Sequence, residues 1–230
     1  MKIVLVSDTH GLHNSIRIPH GDLLIHAGDL SPSGTDREIA AAANWLGSLP
    51  HRYKIAIAGN HDWLFQRQPT LAAALMRSAG IVYLQDSGIE IDGLSVYGSP
   101  WQPEFMHWAF NVRRGELARY WHQIPSGLDI LITHGPPYGI LDQRVPAGTR
   151  RLAAWEEEEP FAGSEHVGDE ELLAAVEQVR PRVHVFGHIH SGYGTIQSEH
   201  TAFYNASQCD EKYEPIHQPW VIDLPRRSRI

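Results

Sequence analysis

The sequence predicts an α/β protein in which two mixed β-sheets stack on each other and helices flank them. Three observations predict it. Short apolar runs rich in Val, Ile and Leu recur along the chain, helical patterns lie between several of them, and the last third alternates without helices.

The elements follow in order. Residues 3–6 (IVLV) and 23–25 (LLI) read as buried strands. Residues 36–48 (DREIAAAANWLGS) read as a helix capped by Thr35, with Glu38 completing a capping box. A strand at 55–58 (IAIA) precedes a helix at 70–79 that ends at Gly80, a residue suited to the position after a helix. Strands follow at 82–84, 94–97 and 130–132. The helix at 169–179 (DEELLAAVEQV) starts acidic and stops before Pro181. A strand at 183–186 leads into the alternating runs GYGTIQ, TAFYNAS and PWVIDL. The stretch 142–168 lacks apolar periodicity and carries the acidic run 156–159; it reads as a solvated loop, with a functional lid as the alternative. There is no internal repeat or low-complexity linker, so residues 1–230 read as one domain.

A formal net charge of −8 argues against a general nucleic-acid-coating surface, though not against a small phosphate-bearing substrate beside a metal. One cysteine, Cys209, rules out a disulfide framework and points to a reducing compartment. The opening MKIVLVSDTH turns polar too soon for a signal peptide, and no run is long enough to span a membrane. A cytoplasmic location is expected.

Five of the strands end on polar donors. IVLVSDTH delivers Asp8 and His10, LLIHAGD delivers Asp29, and IAIAGNHD delivers Asn60, His61 and Asp62. ILITHGPP delivers His134, and VHVFGHIH delivers His188 and His190. Sites in open α/β sheets form outside the carboxyl ends of strands, so these groups should converge. Asp8, His10, Asp29, Asn60, His134, His188 and His190 exceed one tetrahedral zinc and suit two divalent cations sharing a carboxylate. In extended chain, residues two apart face one side, which would aim Asp8 with His10 and His188 with His190. Gly28, Gly59, Gly135 and Gly187 adjoin these positions, where close backbone approach is expected.

Taken together, D-x-H, G-D, G-N-H-D, H and G-H-x-H resemble the calcineurin-like metallophosphoesterase superfamily, over nearly the whole chain. SDTHGLH, YGSPWQPEF, THGPP, VFGHIHSGYG and NASQCD resemble its metallophosphoesterase-domain-containing group, related to class III cyclic nucleotide phosphodiesterases. The resemblance implies a four-layer αββα sandwich. It implies one ion on Asp8, His10, Asp29 and His190, and another on Asp29, Asn60, His134 and His188, with Asp29 bridging. Some animal members of the group have lost a histidine of the last motif; both are present here. His61 would meet the leaving-group oxygen, and Asp62 would hold its ring and favour its charged form.

The implied activity is hydrolysis of small phosphodiesters, including cyclic nucleotides, by a hydroxide bridging two metal ions. Manganese leads the candidate metals, with Fe, Zn, Co or Ni also suited to oxygen and imidazole donors. Phosphomonoesterase or nuclease activity on the same site and a non-catalytic binding protein are the alternatives. Oligomeric state and the native substrate are not readable. For substrate contact, the aromatic stretch between two motif strands offers Trp101, His107, Phe110, Asn111 and Arg113. Cys209 reads as a small buried side chain.

Overall fold

The computed structural model describes residues 1–144 and 165–226. The elements in chain order are β1 (Lys2–Val6), β2 (Leu23–His26), α1 (Asp36–Ser48), β3 (Tyr53–Ala56), α2 (Trp63–Arg67), α3 (Pro69–Ser78), β4 (Val82–Tyr83), β5 (Ser87–Ile91) and β6 (Leu94–Ser99). Two short strands, β7 (Gln102–Pro103) and β8 (Asn111–Val112), precede α4 (Ala118–Trp121) and β9 (Ile130–Thr133). Then come β10 (Gln143–Arg144), β11 (Glu165–His166), α5 (Glu170–Val179), β12 (Val183–Phe186), β13 (Gly194–Gln197), β14 (Ala202–Asn205) and β15 (Trp220–Asp223).

One sheet has the order β15-β1-β2-β3-β4, the other β13-β14-β12-β9-β6-β5. The inner strands of each run parallel, with β15, β13 and β5 antiparallel to their neighbours. Alternation along β1 sorts its side chains: Ile3 and Leu5 meet Val96, Ile130, Ile132 and Val185 between the sheets. Val4 and Val6 turn the other way, onto Ile39, Leu46, Phe65 and Met76 of the helices. Across the second sheet, Leu131, Phe186 and Phe203 pack on Trp121, Leu172 and Val176. Three apolar layers therefore separate four structural layers, and the predicted αββα sandwich is what forms.

The predicted helix 36–48 forms over those residues, with the reciprocal Thr35–Glu38 capping box in place. Pro69 opens α3, and Gly80 follows its end with φ of 74°. Asp169 caps α5 by accepting from the Glu171 and Leu172 amides, so the helix begins one residue later than expected. The strand expected at 55–58 spans 53–56, and Ile57 and Ala58 carry the chain on toward the site. Among the described residues no helix is long and apolar enough to cross a membrane. Residues 145–164, which include the acidic run 156–159, lie outside the described residues.

Candidate metal centre and active-site cleft

The segments following β1, β2 and β3 of one sheet and β9 and β12 of the other meet at one place. All seven candidate ligands arrive there. Asp8, His10, Asp29, Asn60, His134 and His190 are buried, and His188 is half-buried. The pairs are not brought together by strand alternation as expected. Asp8, His10, Asp29 and His188 have positive φ (52°, 43°, 55° and 67°), and His190 starts a 3-10 turn. Left-handed turns aim these side chains, a strain that persists only where the surroundings impose it. The close approach expected of the glycines holds at Gly187, where a Cβ would collide with Asp8 and Ser7, and at Gly59, where it would collide with Asp29. At Gly135 the same atom would meet only ordinary contacts.

The distances sort the donors into two groups. Asp8 Oδ1 lies 3.5 Å from His190 Nε2, and His190 Nε2 lies 3.2 Å from His10 Nε2. Asn60 Oδ1 lies 2.8 Å from His134 Nε2 and 2.9 Å from His188 Nδ1, and Asp29 Oδ2 is 3.4 Å from His134 Nε2. Asp29 Oδ2 is also 3.8 Å from His10 Nε2, which sets it between the groups. Two ligands ~2.1 Å from one tetrahedral or octahedral ion stand about 3.0–3.4 Å apart, so both groups, at 2.8–3.5 Å, lie within a few tenths of an ångström of the spacing of a coordination shell.

Chemistry supports the fit. His134 Nδ1 is 3.0 Å from the Ala27 carbonyl and His190 Nδ1 2.8 Å from that of Asp210. Each Nδ1 therefore donates, and each Nε2 is left to the site, as in metal-ligating histidines held by an outer carbonyl. His134 Nε2 then faces Asn60 Oδ1, lone pair against lone pair in the neutral ring, an arrangement that a proton, or a cation in its place, resolves. The Asp8 carboxylate accepts from the His188 amide at 3.0 Å and from Ser207 Oγ at 2.8 Å.

Burial lowers the basicity of these imidazoles, but the Asp29 charge pushes His134 up to about 9, and Asp8 pushes His190 up to about 9. Burial also opposes ionisation of Asp8, yet His190 and His134 hold it below the usual carboxylate range. Burial, with His134 beside it, pushes His188 down to about 3. Protons on His134 and His190 thus balance the two carboxylates at the atoms a pair of cations would take.

His61 stands beside this cluster with Nε2 4.0 Å from Asp29 Oδ2. Its Nδ1 is 2.8 Å from the Pro32 carbonyl. The expectation that Asp62 holds this ring is therefore corrected. Asp62 accepts instead from the Leu30, Ser31 and Gly59 amides (3.1, 3.1 and 2.9 Å) and from Ser31 Oγ (2.8 Å). It ties the segment after β2 to the segment after β3. Burial and the neighbouring Asp29 push its carboxyl up to about 6.

A cleft opens over Asp29, Asn60, His61, His188 and His190, walled by Pro103, Phe105, Trp108, Arg114 and Tyr213 among others. The aromatic stretch does reach the site, but through other members than expected. Trp101 stacks on Tyr120 at 4.2 Å, donates to Asp86 at 2.8 Å and packs on two of the cores. Phe110 is fully buried. Asn111 Nδ2 donates to the Phe105 and Met106 carbonyls (2.8 and 3.1 Å), bracing their loop. Arg113 is exposed and lies 3.9 Å from Glu104, and His107 is exposed; neither lines the cleft. Phe105 and Trp108 do. Their signal was the same aromatic stretch, but two left-handed residues within it, Met106 and Phe110, break any regular period. Tyr213, whose ring lies 4.8 Å from His10 and 5.4 Å from His190, sits in DEKYE, which has no pattern to mark it. Cys209 is buried, as expected.

Comparison with known proteins places this geometry. The family model described as Calcineurin-like phosphoesterase matches residues 1–192. Metallophosphoesterase domain-containing protein 1 of Homo sapiens is 42% identical over 247 residues, covering 97% of this chain and 71% of that protein. The UPF0046 protein K07C11.7 of Caenorhabditis elegans is 32% identical, covering 99% of this chain and 77% of that protein. TT1561 of Thermus thermophilus shares the fold, with a TM-score of 0.54 at 14% identity over 89% of this chain and 88% of that one. A family match over most of the chain, relatives aligned along nearly all of it and a cluster of aspartates and histidines between two sheets agree: the chain belongs to the calcineurin-like phosphoesterase family, in its metallophosphoesterase-domain-containing group.

Proposed function

We propose that this metal-dependent phosphoesterase hydrolyses small phosphodiesters with two divalent cations per chain, manganese foremost among them. One ion would be held by Asp8, His10, Asp29 and His190, the other by Asp29, Asn60, His134 and His188. The observation that carries the reading is the division of the donors into two ligand-spaced groups with Asp29 between them. When bound, such cations acidify a water to serve as nucleophile and neutralise the phosphoryl oxygens.

The chain's own residues supply the rest. Asp8 and Asp29 provide negative charge, and the Ala27 and Asp210 carbonyls orient His134 and His190. His61 presents Nε2 to the cleft while its Nδ1 donates to the Pro32 carbonyl, so the imidazolium, with both ring nitrogens protonated, can pass its Nε2 proton to the departing oxygen. A diester carries two organic substituents and a single negative charge. The apolar wall of Pro103, Phe105, Trp108 and Tyr213 beside the site suits a substituent better than it suits a second bare phosphate oxygen.

The test is a screen of small phosphoesters on protein stripped by chelator and reloaded with Mn²⁺. It includes 2′,3′- and 3′,5′-cyclic nucleotides, aryl diesters and the matching monoesters, with elemental analysis alongside. Hydrolysis of diesters with two ions bound per chain is expected. A single tight ion with no gain on adding more, or turnover of monoesters alone, would refute the reading.

A further inference from the structure

We propose that Trp108 is a positioning residue for His61, its indole fixing the imidazole in the orientation from which Nε2 meets the leaving oxygen. The inference rests on the reading of His61 as proton donor.

The His61 ring is boxed on three sides. Its Nδ1 meets the Pro32 carbonyl at 2.8 Å. One contact of this kind defines an axis, and the ring is free to tilt about it. The indole of Trp108 closes that freedom, its ring centroid 4.2 Å away and its plane inclined by 32°. The edge of His10 closes another side at 4.7 Å and 80°. Asp62, the nearest carboxylate in sequence, bonds elsewhere.

The loop bearing Trp108 is built to hold it there. Met106 and Phe110 take φ of 51° and 57°, a region bulky side chains avoid unless the surroundings impose it. Asn111 fastens the start of the loop through the Phe105 and Met106 carbonyls. Gln102 Nε2 donates to the Ala109 carbonyl at 3.3 Å. Two bonds then join the loop to the segment carrying His61: the Ala109 amide donates to the Asn60 carbonyl at 3.1 Å, and the Phe110 amide donates to Gln66 Oε1 at 2.8 Å. Trp108 itself belongs to none of the three apolar cores and faces the cleft. A large side chain held this firmly outside the core has the His61 ring as its partner.

The experiment compares Trp108→Leu, Trp108→Phe and His61→Ala on two diesters that differ only in the leaving group, one alkyl and one p-nitrophenyl. Trp108→Leu is expected to lose about 10–100-fold in kcat on the alkyl diester and less than about threefold on the p-nitrophenyl one, a part of the ~10²–10⁴-fold that general acid catalysis supplies. Trp108→Phe should recover most of the loss, and bound metal should be unchanged throughout. A second readout needs no turnover. The His61 ring-proton resonances, read on protein reloaded with diamagnetic Zn²⁺ and identified by their disappearance in His61→Ala, should lie upfield under the indole and move downfield in Trp108→Leu. If His61→Ala shows the graded loss while Trp108→Leu changes KM alone, or leaves the resonances in place, Trp108 is only a cleft wall and the inference falls by itself. Equal losses on both substrates in His61→Ala overturn the acid role, and the inference with it.

Discussion

His184 lies at the centre of β12, fully buried against the rings of Phe186 (5.0 Å) and Phe203 (5.8 Å). Thr133 Oγ1 donates its proton to the Gly135 carbonyl at 2.7 Å, so its contact with His184 Nε2 at 2.8 Å is one that the imidazole donates. Among the described residues Nδ1 has no partner, and the ring is neutral: burial pushes it down to about 3 from an ordinary 6.5. The sign of the pH effect follows. Below pH 6.5 the unfolded chain takes up a proton that the folded chain refuses until about pH 3, so stability falls as pH falls through that window. The slope is ~1.4 kcal/mol per pH unit, or about 2 kcal/mol by pH 5. His184→Gln keeps a donor for Thr133 but has nothing to titrate. The variant is expected to be less stable than the parent at pH 7.5 by about 1–2 kcal/mol, from poorer packing. That gap should close by about 2 kcal/mol at pH 5. Urea unfolding of both proteins in excess chelator, at half-unit steps from pH 7.5 to 5, measures it, and acid effects at the metal centre cancel in the difference. A gap that stays constant across the range would show that His184 is charged in the fold, or not the group responsible.

Asp29→Asn is expected to lose both bound ions and more activity than His190→Ala, which should lose one; elemental analysis and residual kcat at saturating metal report both, and equal residual rates would contradict a shared Asp29. Asp62→Asn should weaken metal affinity by ~10–100-fold, as outer-shell changes do, and lower kcat/KM by one factor on alkyl and p-nitrophenyl diesters alike. A loss confined to the alkyl diester would put the carboxylate back at the His61 ring. Trp101→Ala should cost ~1–3 kcal/mol of stability, as the loss of a partly buried aromatic with a hydrogen bond does, and leave KM within about twofold; a raised KM with unchanged stability would return Trp101 to the substrate.

The fold and the candidate ligand set were legible in the sequence for separate reasons. Strands 3–6 and 130–132 are continuous apolar runs because both faces are covered, and the Thr35–Glu38 cap is a local event written in four residues. The candidate ligands were legible because each is a polar group placed straight after such a run. Their aiming was not: whether Asp8 and His10 share a side depends on backbone angles, and only the folded surroundings force those into the left-handed region. Asp62 follows His61 directly, yet adjacency in a turn says nothing of where a carboxylate points; three amides and a hydroxyl claimed it. The same limit separated Trp101 and Phe110, taken by the core, from Phe105 and Trp108, given to the cleft. α2 and α4, of five and four residues, are too short to show a period at all.

Asp8, His10, Asp29 and Asn60 follow strands of one sheet, and His134, His188 and His190 follow strands of the other. In the proposed sets each ion therefore takes ligands from both, and acts as a rivet through the sandwich. Rivets of this kind are governed by supply: a site adds RT ln(1 + [ion]/Kd) to the stability, about 2.7 kcal/mol when free ion stands at a hundred times Kd. Two of them rival a large share of the ~5–15 kcal/mol by which an ordinary domain is held together. Trace-metal status would then set the chain's lifetime as well as its turnover. In a starved cell the same polypeptide would persist as a looser pair of sheets, opening more often to proteases, and its abundance would fall before any shortage of substrate was felt.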